Sequence, residues 1–393
     1  MRPRRFVSPA WLLFAVAALA ASAIACTDAT DPSTLIFTAV STGAGYTCGL
    51  TDDRIVYCWG ANFDGQLGDG SKDSRSTPTR VSSRLQFASV SAFGDHTCAL
   101  AENGDGYCWG ANLHGQVGDG TEPTGEFPSR TKPTRVAGAV QLASIRVGSG
   151  HSCALTIAGT AYCWGNGGLG QRGDGSITVR VTSPTPVLGG LTFASLSLGH
   201  EHSCALTSDG SAYCWGANHR GEIGDSTTEH RSVPAPVLGG LSFASLAAGV
   251  TSTCGVLASG EAYCWGLVGL VDGGGVVSSL MPSPVSDKLR FFSISPGATH
   301  ICGIGLDNTA YCWGRNPDGQ LGVGDLDDRP TPTPVAGDLR FAQVSVGAVH
   351  TCGITLDGAL YCWGLNLSGG LGDGTISSSD RPRWIAGPAS SEQ

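Results

Sequence analysis

The chain alternates short hydrophobic runs with polar, glycine-rich turns, and one block of this pattern recurs seven times. The block has the form Ser-Val-x-x-Gly-x-x-His-Ser/Thr-Cys-Ala/Gly-Leu-Thr-x-Asp-Gly-x-Ala-Tyr-Cys-Trp-Gly and returns about every 50 residues. In the fourth copy the apolar runs predict strands at 193–198, 203–207, 212–215 and 234–238. Four short strands in each repeat of this length are typical of a β-propeller.

A stacked solenoid is the alternative for such a repeat. Solenoids need atypical polar repeats that cap both ends, whereas here Phe37 opens the first copy and Ile385 ends the last one as ordinary repeat residues. The sequence therefore predicts an all-β, seven-bladed β-propeller of four-stranded blades over residues 37–387. We expect the N- and C-terminal strands to meet and close the ring.

A second motif, Gly-x-Asn-x-x-Gly-Gln-Leu-Gly-Asp-Gly, follows the Cys-Trp-Gly mark and is clearest at 62–70 and 316–324. With His-Thr-Cys-Ala-Leu at 96–100, it resembles the regulator of chromosome condensation repeat family. That resemblance covers residues 37–387 and implies a seven-bladed propeller. One fold hosts many functions, so the resemblance constrains the function much less.

Fourteen of the 15 cysteines fall into seven Cys-x9-Cys pairs. Zinc ligands usually come as Cys-x2–4-Cys, and an exported chain with evenly paired cysteines favours disulfides. A three-residue hairpin loop between the paired cysteines would place glycine third in five copies and Asn308 in the sixth, with the cysteines directly opposite one another. The first copy departs, because Arg54 occupies the glycine position and leaves its turn type open. The predicted disulfides join Cys48 to Cys58, Cys98 to Cys108, Cys153 to Cys163, Cys204 to Cys214, Cys254 to Cys264, Cys302 to Cys312 and Cys352 to Cys362.

The N-terminus has the layout of a secretory signal. Arg2, Arg4 and Arg5 precede an apolar stretch at 11–25, which is too short for a transmembrane helix, and Cys26 follows directly. This arrangement resembles a bacterial lipoprotein signal. It predicts a signal peptide over residues 1–25, lipidation of Cys26, a polar tether over 26–36 and a tail over 388–393. The alternative is ordinary cleavage beside an unmodified Cys26. We expect an exported protein of the cell envelope, lipid-anchored to the outer membrane or cell surface.

Composition narrows the function classes. The net charge is −9, and lysine occurs only three times, whereas a nucleic-acid surface requires clustered cations. Sequence motifs for nucleophilic catalysis, for metalloproteases or for phosphate binding do not occur. We therefore expect a monomeric, non-enzymatic protein that has no cofactor or metal and does not bind nucleic acid.

Recurrent histidines precede five of the cysteine pairs by two residues. Equivalent positions on blades about 10 Å apart cannot share one metal ion, so structural hydrogen bonding is the favoured interpretation. His200 and His202 could bind one surface ion together only if both side chains projected out of the sheet, which the two-residue period of a strand allows but does not predict. The recurrent set comprises His96, His151, His202, His300 and His350, with Tyr46 and Ser252 in the other two copies.

Two further repeated features suggest ligands but favour structural roles. The Asn-x-Asp-Gly runs beginning at Asn62 and Asn316 lack the first aspartate and final glutamate of a calcium loop, so we expect turns. The seven Cys-Trp-Gly tryptophans could stack on carbohydrate. Their recurrence at one strand position favours packing between blades.

Residues that differ between copies are the candidates for binding, because function concentrates in loops. Copy two has a longer loop, copy four an unusual charged one, and copy five replaces the Gly-Gln-Leu-Gly hairpin with an apolar loop that is either a contact surface or a decayed repeat. The candidate binding residues are Glu126, Phe127, Arg130, Glu229, His230, Leu270 and Val271.

Arginines close to the last strand suggest a supporting ion pair in four copies. Each follows a Gly-Asp element, and copy five lacks both partners. We expect each arginine to pin the variable loop of its blade, against the alternative of two solvated charges. The expected pairs are Arg75 with Asp69, Arg231 with Asp225, Arg329 with Asp325 and Arg381 with Asp373.

Three functions fit these features. The first is a surface-tethered binding propeller whose partner is a protein or a glycan. The second is a nucleotide-exchange factor for a small GTPase, which the family resemblance implies and the export signal opposes. The third is a secreted inhibitor of a cell-wall-targeting hydrolase, as in similar bacterial propellers.

Overall fold

The computed structural model describes residues 34–126, 128–138, 141–271 and 275–388. Their strands form seven four-stranded antiparallel sheets, and each sheet takes four strands that are consecutive in the chain. Each sheet is one blade, so the predicted all-β, seven-bladed propeller is confirmed. In the described ranges we find no helix with the length and hydropathy of a membrane span.

The first three blades have the following strands. Blade one contains β1 (Phe37–Thr42), β2 (Tyr46–Thr51), β3 (Val56–Gly60) and β4 (Arg75–Arg80). Blade two contains β5 (Phe87–Phe93), β6 (His96–Ala101), β7 (Gly106–Ala111) and β8 (Ser129–Arg135). Blade three contains β9 (Leu142–Val147), β10 (His151–Thr156), β11 (Ala161–Gly165) and β12 (Thr185–Pro186).

The remaining four blades repeat the arrangement. Blade four contains β13 (Ser195–Leu198), β14 (His202–Leu206), β15 (Ala212–Gly216) and β16 (Arg231–Pro236). Blade five contains β17 (Phe243–Ala248), β18 (Ser252–Leu257), β19 (Ala262–Val271) and β20 (Gly275–Pro284). Blade six contains β21 (Phe291–Pro296), β22 (His300–Gly305), β23 (Ala310–Gly314) and β24 (Arg329–Pro334). Blade seven contains β25 (Phe341–Val346), β26 (His350–Thr355), β27 (Leu360–Gly364) and β28 (Ser379–Ala386).

The last strand of blade four begins earlier than its sequence suggested. The expected strand was 234–238, but β16 starts at Arg231, which lies opposite Gly216 across an irregularity in the pairing. The strand therefore extends toward the variable loop instead of away from it. This register matters because it brings the arginine beside the hairpin that precedes it.

Each blade carries a disulfide between its second and third strands, as predicted. The two cysteines lie directly opposite one another in the strand pairing, as Cys48 and Cys58 do in blade one. The Cα–Cα distance is 4.1 Å in every bridge, and all seven bridges stay within a single blade. The other six join Cys98 to Cys108, Cys153 to Cys163, Cys204 to Cys214, Cys254 to Cys264, Cys302 to Cys312 and Cys352 to Cys362.

The hairpin loop between the paired cysteines ends in a residue with positive φ, as the predicted turn requires. The value is 82° at Gly104 and 63° at Asn308. Arg54 also adopts a positive φ, of 66°. The first copy therefore forms the same turn as the others, although its positive-φ position carries an arginine, which disfavours this backbone conformation.

The hydrophobic core consists of clusters between neighbouring blades. All seven Cys-Trp-Gly tryptophans are buried, and the Trp109 Nε1–H donates to the Gln66 carbonyl of the preceding blade at 2.9 Å. This confirms the packing interpretation. One cluster joins Phe37 of β1 to Ile385 of β28. The N- and C-terminal strands therefore meet, and the ring closes by packing between blades one and seven, which keep separate sheets.

The first strands of the blades line a central channel of about 380 Å³. In each of them one residue lies opposite the first cysteine of its blade, and these seven residues form what we call the channel ring. Five of them are serines whose hydroxyls accept a backbone N–H from the next blade. The channel ring consists of Ser41, Ser91, Arg146, Ser197, Ala247, Ser295 and Ser345.

Candidate functional site

All three irregular segments of the sequence connect the third and fourth strands of their blades. In an antiparallel meander, this connection leaves from the same end of the blade as the turn between the first and second strands. We call this end of each blade its loop face. The three-residue turns beside the disulfides lie at the opposite end. The candidate binding residues therefore all belong to loop-face connections.

A pocket of about 350 Å³ opens on the loop face of blades one to four. Its carboxylates come from four different connections: the Asn-Gly hairpin of blade one, the first turn and variable loop of blade two, and the first turn of blade four. No arginine, lysine, tryptophan, tyrosine or phenylalanine is among its described lining residues. The ionisable lining comprises Asp64, Asp95, His114, Glu126, His200 and Glu201.

The pocket concentrates negative charge. Desolvation raises the pKa of the Asp95 carboxyl, and the neighbouring Asp64 carboxylate raises it further. Desolvation lowers the pKa of His114, so its imidazole is neutral at pH 7. His200 Nδ1 lies 3.8 Å from Glu201 Oε2. Neighbouring carboxylates repel one another, and a bound cation offsets that repulsion. The pocket therefore favours a positively charged ligand group.

In the described part of the chain, no group of three or more His, Cys, Asp and Glu side chains is arranged to hold a metal ion. Asn62 organises the blade-one hairpin instead. Its amide donates to the Asp73 carbonyl at 3.0 Å, and its Oδ1 accepts the Leu67 N–H at 2.9 Å. The turn interpretation is therefore confirmed at this position.

The copy-two candidates divide between the pocket and the scaffold. Glu126 lines the pocket, and Phe127 lies outside the described residues. Arg130 contacts Asp119, with Nη2 and Oδ2 2.6 Å apart, and also donates to Thr121. Arg130 is thus the blade-two counterpart of the arginines that support loops in other blades.

The copy-four candidates anchor their own loop. The Glu229 carbonyl accepts the Asn218 side-chain amide at 3.1 Å, and the His230 Nδ1 accepts the Asn218 backbone N–H at 3.0 Å. The His230 ring also packs edge-on against His219, with 4.3 Å between centroids. Neither residue lines the acidic pocket.

The copy-five segment is a β-hairpin, so its description as an apolar loop is corrected. β19 and β20 extend beyond the usual strand ends, with Leu270 opposite Val276 and Val271 opposite Gly275. The side chains of Leu270 and Val271 lie outside the described part of the structure. Because the usual Gly-Gln-Leu-Gly hairpin is missing, a cavity of about 70 Å³ opens beside Trp313. A contact surface and a decayed repeat are both compatible with this hairpin.

Three of the four expected ion pairs are confirmed. Nη2–Oδ2 distances are 2.9 Å for Arg75 and Asp69, 2.6 Å for Arg231 and Asp225, and 2.5 Å for Arg329 and Asp325.

The fourth expected pair, Arg381 with Asp373, is wrong. Asp373 instead contacts Arg383 at 2.8 Å. Register explains the difference, because Ser379 holds the position opposite Gly364 that arginine holds in blades one, two, four and six.

Sequence reasoning also missed the arrangement of this kind in blade three. Arg172, in the hairpin position that is usually leucine, is fully buried and its Nε lies 3.0 Å from Asp174 Oδ2. It also donates to the Thr178 carbonyl at 2.6 Å. The available sequence signal was a charged residue at a hairpin position that is apolar in the other copies.

The recurrent histidines form a hydrogen-bond relay between blades. His96 Nε2 lies 2.8 Å from the Ser152 hydroxyl of the next blade, and that hydroxyl donates to the Gln116 carbonyl at 2.9 Å. Because the hydroxyl has only one proton, the imidazole must donate its Nε2–H. The structural role is therefore confirmed. The same contact is made by His151, His202, His300 and His350, the last to Thr47 across the ring closure.

The relay also explains two irregular copies. Tyr46 replaces histidine in blade one and reaches the equivalent Thr97 hydroxyl, at 3.0 Å. Ser252 replaces histidine in blade five, and blade six carries Ile301 where the hydroxyl would be. The donor and acceptor are thus lost together. His202 is buried while His200 is half-buried at the surface, with 44% of its side chain exposed, so the two do not combine into one ion site.

The acidic pocket itself was not predicted. Asp95 and Glu201 occupy the residue directly before the recurrent histidine, where the other copies carry Gly, Thr or Val. That blade-specific charge was the available signal. Cys26 lies outside the described residues.

Comparison with known proteins gives the family. The model of the RCC1-like domain matches residues 20–274, and that of the regulator of chromosome condensation (RCC1) repeat matches residues 307–354. The human probable E3 ubiquitin-protein ligase HERC6 is 34% identical over 203 residues, which are 50% of this chain and 20% of that protein. The chain thus spans about a fifth of the length of this relative.

Two solved structures share the fold. Human WBSCR16 superimposes with a TM-score of 0.73 at 23% identity, covering 81% of this chain and 87% of that one. Prp20p from Saccharomyces cerevisiae, described with its binding properties to Gsp1p and histones, gives a TM-score of 0.71 at 20% identity, covering 90% and 88%. With a family model matching well over half of its residues, the chain belongs to the RCC1-like domain family.

Proposed function

We propose that this chain is a non-enzymatic propeller that binds a protein partner through the acidic pocket on the loop face. The observation that carries the proposal is the convergence of four carboxylates from blades one, two and four, without an arginine or lysine in the described lining. Such a pocket favours the ammonium or guanidinium group of a lysine or arginine side chain. Its volume of about 350 Å³ accommodates one such side chain.

A protein fits this pocket better than a glycan does. Carbohydrate sites rely on aromatic faces for stacking, and the tryptophans of the repeat are buried between blades. The described lining of the pocket has no tryptophan, tyrosine or phenylalanine. We therefore propose a basic protein surface as the partner.

Binding from envelope extracts by purified mature propeller tests the proposal. The variant carrying Asp64→Asn and Asp95→Asn should lose the captured partner, and capture by the unchanged protein should weaken as salt rises. The matched control carries Glu102→Gln and Asp287→Asn, which remove two carboxylates from the opposite end of the blades and should retain the partner. Equal capture by both variants would refute the pocket as the site.

We further propose that the protein is exported and anchored to a membrane of the cell envelope through lipidated Cys26. Arg2, Arg4, Arg5 and the apolar stretch at 11–25 support export, and seven disulfides are expected in an oxidising compartment. This location would separate the chain from cytosolic GTPases. Metabolic labelling with a fatty-acid analogue should tag the unchanged protein and leave Cys26→Ser unlabelled. Equal labelling of both, or of neither, would contradict the anchor.

A further inference from the structure

The channel ring contains one charged residue. Arg146 lies opposite Cys153, at the position that serine holds in five other blades. Among the described residues lining the channel there is no aspartate, glutamate or lysine. The charge of Arg146 is therefore not neutralised from within the channel.

The contacts of Arg146 leave much of its guanidinium unused. Its Nη1 donates to the Ile145 carbonyl at 2.9 Å, which accounts for one of the five N–H donors of the group. Burial lowers the pKa of Arg146, but an arginine stays protonated at neutral pH. A cation in these surroundings is stabilised by an anion that enters the channel.

Arg146 also removes an acceptor from the ring. In the preceding blade the Ser91 hydroxyl accepts the Val147 N–H at 3.2 Å, and four other ring serines do the same for their neighbours. Ala247 is the other exception, but it faces Pro296, which has no N–H. At the Arg146 position the next blade presents the Leu198 N–H. Arginine has only donors, so this N–H faces a second donor where other blades supply a serine hydroxyl.

The orientation of the Leu198 N–H follows from the strand pairing. Gly199 donates its N–H to the His202 carbonyl within blade four. N–H groups alternate in direction along a strand, so the Leu198 N–H points away from β14 and toward blade three. Arg146 and Leu198 both line the channel, so the guanidinium and this N–H are two donors that neighbouring blades contribute to the same channel.

We propose that Arg146 and the Leu198 N–H form a binding site in the central channel for a small oxyanion, a carboxylate or phosphate group. A planar guanidinium matches two oxygens of such a group. The channel volume of about 380 Å³ exceeds that of the anion. This site is separate from the acidic pocket, and it stands whether or not that pocket binds a protein.

Titration of the mature propeller with inorganic phosphate and, in a second arm, with acetate tests the site, with chloride holding the ionic strength constant. The unchanged protein should bind one of these anions saturably, with one anion per chain, and the arm that saturates identifies its chemistry. Arg146→Ser should reduce the affinity about tenfold or more, since a charge-assisted bidentate contact is lost. Serine is the residue of five other ring positions, so this variant should fold.

Arg84→Ser, which removes an exposed arginine outside the channel, is the matched control and should bind like the unchanged protein. Arg146→Lys should retain part of the affinity because it keeps the charge. Saturable binding of equal affinity by Arg146→Ser, or no saturable binding of either anion by the unchanged protein, would overturn the proposal.

Discussion

The buried histidines that bridge the blades should make the propeller less stable in mild acid. Burial lowers the pKa values of His96, His202 and His300 to about 3 and that of His350 to about 4, and it also lowers the pKa of His151. The Nδ1 atom of each is buried, with no hydrogen-bond partner among the described residues. A proton added there would be an unpaired buried charge, which is the physical reason for the lowered pKa values.

The direction of the effect follows from proton binding. Below the ordinary histidine pKa of 6.5, these histidines bind protons in the unfolded chain but stay neutral in the folded chain. The free energy of unfolding therefore falls as pH falls. At pH 5 this loss amounts to about 2 kcal/mol for each buried histidine and about 10 kcal/mol for five, relative to pH 8. The aspartates with lowered pKa values add their own loss only below about pH 4.

Chemical unfolding with intact disulfides, measured from pH 8 to pH 5, gives the free energy at each pH. His202→Gln should reduce the slope between pH 6 and pH 5 by about 1.4 kcal/mol per pH unit, since one proton is no longer taken up. Uptake of fewer than about two protons on unfolding of the unchanged protein at pH 5 would refute the reasoning.

Three further predictions concern the scaffold. Peptide mapping without reduction should return all seven bridges within single blades, and a bridge between blades would show that the hairpin register is wrong. A double-mutant cycle on Arg231 and Asp225 should give a coupling of about 1 kcal/mol, because the arginine is partly exposed; coupling near zero would reduce the pair to two solvated charges. Arg54→Gly should stabilise the protein by about 0.5–1 kcal/mol by relieving its positive φ, with Asn308→Gly as a control of smaller effect; destabilisation by Arg54→Gly would show that the side chain contributes more than the turn costs.

The fold could be predicted because the same local sequence pattern occurs seven times. The Cys-x9-Cys spacing determines the disulfide pairing, since a three-residue turn ending in Gly104 or its equivalents places the cysteines opposite one another, as Cys98 and Cys108 are in blade two. Ring closure could be predicted because Phe37 and Ile385, at the two ends of the repeat array, resemble interior repeat residues. The disulfides could be predicted because each depends on the sequence of a single blade.

Arrangements between blades were less accessible. Asp64, Asp95 and Glu201 are far apart in sequence and converge only because three loop faces meet at one pocket. The pairing of Asp373 with Arg383 depended on a shift in strand register at Ser379 that composition does not reveal. The sequence showed which positions vary between copies, whereas the structure shows which of them share a surface.

The most direct test of the account is photo-crosslinking from one side chain in the acidic pocket. A photoreactive residue at Leu113, which lines the pocket and is 47% exposed, should yield a specific protein adduct in envelope extracts. The adduct should disappear when Asp64→Asn and Asp95→Asn are added. The same residue at Leu356, which is 60% exposed at the opposite end of its blade, should give no such adduct. An adduct from Leu356 but not Leu113, or one from Leu113 that survives the two substitutions, would contradict binding through this pocket.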